Sequence, residues 1–146
     1  MSKTTLFYGA AFAALLLVVI FPGSYAENQI SKTEVIPIDK NIGIQKTVLS
    51  LSVPQDNHLP WGFVEGKIAN PVPGYPVIIQ IFDNDDKIAG NNIGAFHFAQ
   101  TNVNEDGTYE YKFRIRDVRD GNVINIFEGD YTVKIFKVVY LDLTST

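Results

Sequence analysis

From Thr108 to Arg116 apolar and polar side chains alternate without a break. Tyr109, Tyr111, Phe113 and Ile115 fall on one side, and Glu110, Lys112, Arg114 and Arg116 on the other. Extended backbone, with its two-residue side-chain period, gathers those aromatics on one face, which helical spacing would scatter. The same period runs through Val77, Ile79 and Ile81, and through Tyr131, Val133 and Ile135. It recurs in Leu49, Leu51 and Val53, with Ser50 and Ser52 facing away. Apolar runs from Gly62 to Ile68 and from Ile93 to Val103, the latter with Phe96 and Phe98, predict further strands. Beyond residue 26 no apolar stripe keeps helical spacing over three turns.

Turn residues punctuate these runs: Asp83-Asn84-Asp85-Asp86, Asn104-Glu105-Asp106-Gly107 and Arg119-Asp120-Gly121-Asn122. Asp-Gly between alternating runs is a hairpin signal. Pro54, Pro60, Pro71, Pro73 and Pro76 cluster at ends and loops, where a missing donor harms no ladder. Six to eight short strands without helices predict an all-β, antiparallel, two-sheet sandwich. Residues 54–60, rich in proline and polar side chains, read as a junction. Residues 27–60 are then an N-terminal strand region with that junction, and residues 61–146 the sandwich.

The first 26 residues follow another pattern. Lys3 precedes an uncharged stretch from Leu6 to Phe21, and Pro22-Gly23 ends it. Ser24-Tyr25-Ala26 puts small residues at the two positions a signal peptidase reads, so residues 1–26 are expected to form an export signal helix, cleaved before Glu27. The alternative is an uncleaved membrane anchor, for which the stretch falls just short of the roughly 20 residues that span a bilayer. Either way the remainder is expected outside the cytoplasm.

The 146 residues are 46% hydrophobic and 19% charged, room for one domain with its own core. There is no cysteine, which removes disulfides, thiolate metal sites and a cysteine nucleophile. A net charge of -4 argues against duplex nucleic acid, whose binding needs a positive footprint.

Several segments look familiar together: Val64-Glu65-Gly66-Lys67-Ile68, Pro76 to Asp83, Asn104 to Tyr109, and Gly129-Asp130-Tyr131-Thr132-Val133-Lys134-Ile135. They resemble an Ig-like (fibronectin III-like) β-sandwich module of the kind found in secreted and surface-layer-associated proteins of ammonia-oxidising archaea. The resemblance covers roughly residues 61 to 141 and implies the fold far more than any activity. Such proteins usually string many copies together, whereas this chain has one. Independently of the family, Tyr131 just after Gly129-Asp130 suits a corner device in which a buried ring returns its hydroxyl to nearby backbone.

Candidate chemistry is sparse. Of two histidines, His58 lies in the junction and His97 sits within Ala95-Phe96-His97-Phe98-Ala99. His97 is a weak candidate metal ligand or base, against the reading of a hydrogen-bonded strand histidine. Asp83, Asp85 and Asp86 invite a calcium site, but Ile88 and Gly94 stand where an EF-hand needs glycine and glutamate. Carboxylates at hairpin tips are also good turn formers. Beyond residue 26 the serines are Ser31, Ser50, Ser52 and Ser145, none in a nucleophile elbow, and no carboxylate pair has a glycosidase motif.

Lys112, Arg114 and Arg116 form a basic stripe on one strand face, which suits an anionic glycan, a lipid headgroup or an acidic protein. A solvated sheet face is the other reading. Phe82 and Phe136 fall opposite the core residues of their strands and mark a second packing surface or a docking patch.

The leading expectation is therefore a non-enzymatic, exported binding or structural module at the cell envelope. Its partner would be an envelope protein or glycan, with no nucleic acid, no cofactor, and membrane contact only through an uncleaved N-terminal segment. The alternative is an extracytoplasmic subunit of a surface fibre, homo-oligomer or membrane complex, joined through its N-terminal strand or anchor. A metal-binding protein using His97 comes third.

Overall fold

Each described element is a β-strand, as the two-residue period requires. The structure is a computed structural model and describes residues 31–84 and 97–142. Residues 1–26, expected to form the export signal helix, and Asp85 and Asp86 lie outside the described residues. The strands are β1 (Lys32–Pro37), β2 (Ile42–Val53), β3 (Trp61–Lys67), β4 (Val77–Asp83), β5 (His97–Thr101), β6 (Thr108–Arg114), β7 (Arg116–Arg119), β8 (Asn122–Asn125) and β9 (Gly129–Tyr140).

A five-stranded sheet runs in the order β1-β2-β9-β4-β5, while β3 pairs with β6 and β7 with β8, and each pairing is antiparallel. β2, from the segment that precedes the Pro-rich junction, pairs with β9 from Ile42↔Tyr140 to Val53↔Gly129. Leu49, Val133, Ile81 and His97 consequently lie in one row across β2, β9, β4 and β5. The alternation delivers Leu49, Leu51, Val53, Val77, Ile79, Ile81, Tyr131, Val133 and Ile135 to the buried side of this sheet. Val64, Tyr109 and Phe113 of the β3–β6 ladder join the same hydrophobic cluster, with Ile115 and Phe127 beside them. One core thus draws on both ladders, and its burial is the main stabilising term. Gly62 lets β3 sit close over it: a Cβ there would lie 2.7 Å from both Ile115 and Phe113.

The Tyr131 corner forms as its sequence setting suggests. The ring is buried, and the hydroxyl accepts from Glu128 N–H at 2.8 Å and donates to Glu128 C=O at 2.9 Å. At the second Asp-Gly, Asp120 (φ 52°) and Gly121 (φ 78°) are both left-handed, the backbone of a type I′ turn.

The nine-residue alternation from Thr108 to Arg116 is not one strand. It bends at Ile115, which is buried and donates its N–H to Pro60 C=O at 2.8 Å. Its carbonyl accepts from Ile126 and Phe127, so Arg116 starts the separate β7–β8 hairpin.

Lys137 takes a core-side position of β9 and is only 3% exposed. Its ammonium donates to Val72 C=O at 2.8 Å and to Tyr75 C=O, pinning the Pro71 to Pro76 loop over that end of the sheet. Burial holds its pKa below the ordinary lysine value.

Candidate functional site

The β3–β6 register sets Trp61 opposite Arg114, Phe63 opposite Lys112 and Glu65 opposite Glu110. Gly62 and Val64 point into the core, so Trp61 and Phe63 take the outer side, where Lys112 and Arg114 also stand. There the Lys112 ammonium lies 4.1 Å from the Trp61 ring centroid and 5.8 Å from that of Phe63. The Arg114 guanidinium lies 4.7 Å from Trp61. Cations so placed gain from the ring quadrupole while their heads stay in water, since both side chains are exposed.

Asp117 orders the end of this face, holding Arg114 at 3.2 Å and Arg119 at 2.7 Å. The Arg119 hydrogen bond leads in keeping the Asp117 carboxyl below the usual carboxylate range. Arg114 Nε also donates to Arg116 C=O at 3.3 Å, and Arg116 Nη1 to His58 C=O at 3.2 Å. The stripe is therefore divided. Lys112 and Arg114 face outward over Trp61, whereas Arg116 has passed the bend and ties the hairpin to the junction.

His97 faces inward at the sheet edge. Its Nε2 shares a 2.8 Å hydrogen bond with the Tyr111 hydroxyl, and the rings of Tyr111, Phe113 and Phe127 surround it at centroid distances of 5.8, 6.2 and 5.8 Å. Burial lowers the His97 pKa and raises that of Tyr111, favouring a neutral imidazole beside a neutral phenol. Among the described residues no group of three His, Asp or Glu side chains is placed to hold a metal ion. Asp83 closes β4 in register with Tyr131, and Asp85 and Asp86 lie outside the described residues.

Phe82 and Phe136 stand on the outer side of the five-stranded sheet, half-buried, with Lys134 Nζ 4.7 Å from the Phe82 centroid. They belong to a different sheet from Lys112 and Arg114, so the sequence-derived binding candidates make two faces and not one.

Trp61 and Phe63 belong to no motif and carry no charge, so in the sequence they do not stand out as binding residues. Their signal was parity: both share the alternation of Glu65, while Gly62 and Val64 take the core parity. The chain matches no family model, no curated protein and no solved structure.

Proposed function

We propose that this chain is an exported, non-enzymatic Ig-like sandwich module that binds an acidic ligand at the cell envelope, and that the outer face of the β3–β6 ladder is its binding face. The observation that carries this reading is the pair of cations, Lys112 and Arg114, held over Trp61 on an exposed strand face. Tryptophan and arginine dominate binding hot spots, and cations already fixed over a ring lose less freedom on meeting a carboxylate. An anionic surface glycan fits this chemistry, with its acid groups on Lys112 and Arg114 and its apolar sugar faces against Trp61 and Phe63. The export-like residues 1–26, the shared core of the two ladders and the Tyr131 corner support the setting and the sandwich type.

Co-sedimentation with polygalacturonate, beside neutral dextran, tests the reading. Wild type should be retained by the acidic polymer alone. Trp61→Ala and the double change Lys112→Gln/Arg114→Gln should each weaken retention about 5- to 30-fold. Equal retention on both polymers, or variants that bind as wild type does, would overturn it.

A second reading, an assembly subunit joined through its N-terminal strand, draws on β1. It is the outermost strand of its sheet, and Val35 (45%) and Ile36 (48%) are exposed. Deletion of residues 32–37 would abolish assembly on this reading and leave acidic-polymer binding intact.

A further inference from the structure

The β7–β8 hairpin stands out from the core, and its apolar side chains are wet: Val118 is 58% exposed, Val123 51% and Ile124 42%. An isolated two-stranded hairpin is marginal in water. Strand edges are normally blunted by charge, proline or a bulge, because their free N–H and C=O groups template further pairing. β1 carries Lys32, Glu34 and Pro37, β3 carries Glu65 and Lys67, and β7 carries Arg116, Asp117 and Arg119. β5 has no formal charge but lies beside β6, where Thr101 Oγ1 donates to Glu110 C=O at 2.9 Å. β8, Asn122-Val123-Ile124-Asn125, has neither charge nor proline.

The hydrogen-bonding direction along β8 follows from its turn. A two-residue I′ loop makes Arg119 and Asn122 a bonded pair, and bonded and non-bonded pairs then alternate. Asp117 and Ile124 are bonded, and Ile126 N–H to Ile115 C=O at 2.8 Å keeps the same phase. The Arg116 N–H, turned outward by this phase, goes to Pro60 C=O at 3.3 Å. Val123 and Asn125 therefore present their N–H and C=O on the side of β8 away from β7, where no strand of the described residues pairs with it.

We propose that β8 is a self-pairing edge. Two copies of this chain join β8 to β8 antiparallel about a two-fold axis at Val123, giving a four-stranded sheet in the order β7-β8-β8-β7. In this register each Val123 exchanges both backbone hydrogen bonds with its symmetry mate. Because Val118 lies opposite Val123 within the hairpin, a row Val118-Val123-Val123-Val118 forms across one face. On the other face Ile124 meets Asn122 of the second copy, and no like charges oppose each other across the join. The contact is isologous and closed, so it stops at a dimer. Its span is far below the roughly 1,200 Å² of a stable interface, so association belongs in the range of about 10 μM to 1 mM. This inference does not depend on the binding role of Trp61.

Sedimentation of the exported protein over that concentration range tests it. The weight-average mass of wild type should rise from one chain toward two. Val123→Pro leaves the hairpin ladder intact, because that N–H points away from β7, yet removes the donor needed for pairing. Val123→Lys sets two ammonium groups together at the axis. Both variants should stay monomeric with an unchanged far-ultraviolet dichroism spectrum, whereas Ile124→Lys should dimerise as wild type does. Amide exchange at Val123 should slow with concentration. A wild type monomeric throughout, a Val123→Lys protein that dimerises equally well, or equal loss of dimer in Ile124→Lys would overturn the proposal.

Discussion

His97 and Tyr111 meet through a 2.8 Å hydrogen bond between Nε2 and the phenolic hydroxyl, joining the edge strand β5 to β6 across the rim of the core. The bond uses a neutral imidazole among aromatic rings, and burial keeps the folded His97 pKa below its ordinary value. Below about pH 6.5 the unfolded chain takes up a proton that folded His97 resists, so stability declines as pH falls toward the folded pKa. The melting temperature should drop more between pH 7.5 and 5.5 in wild type than in His97→Gln. Equal slopes would contradict this account of the pair.

Leu51 lies in register with Tyr131 on the core face of β2 and is 1% exposed. Leu51→Ala should cost about 2–5 kcal/mol by denaturant titration, through lost transfer energy plus the cavity. Ser50→Ala, one residue away on the outer face, should stay within about 0.5 kcal/mol.

Lys137 anchors a proline-rich loop through two carbonyls, and a shape-preserving change separates its length from its donors. Lys137→Met keeps the buried stem but leaves the Val72 and Tyr75 carbonyls without their donor. We expect a loss of about 1–3 kcal/mol and faster proteolysis within residues 71–76. An unchanged stability would show that the carbonyls find other donors.

Much of the fold was legible because the buried and exposed faces differ in chemistry along most strands. Tyr109, Phe113, Val133 and Ile79 announce their side by parity alone, and Asp120-Gly121 announces its turn. Three features were not legible. The bend at Ile115 interrupts a perfect alternation, because it is set by the Pro60 carbonyl far away in sequence. Lys137 occupies a core position that its charge disguises. The full pairing of β2 with β9 depends on a strand partner remote along the chain, which local periodicity does not name.

The binding candidates were legible to a similar degree. Lys112 and Arg114 were visible as a stripe, but their aromatic counterparts Trp61 and Phe63 sit on another strand and emerge only from the β3–β6 register. His97 showed no partner in sequence, since Tyr111 reaches it across space from β6.

Trp61 is the single tryptophan of the chain, so its fluorescence reports on the proposed binding face without interference. Titration with polygalacturonate at low salt should give a saturable change in intensity and wavelength that added salt reverses and that Lys112→Gln/Arg114→Gln shifts to about 5- to 30-fold higher polymer concentration. A spectrum unmoved by the acidic polymer, or moved equally by neutral dextran, would contradict the assignment of this face as the site.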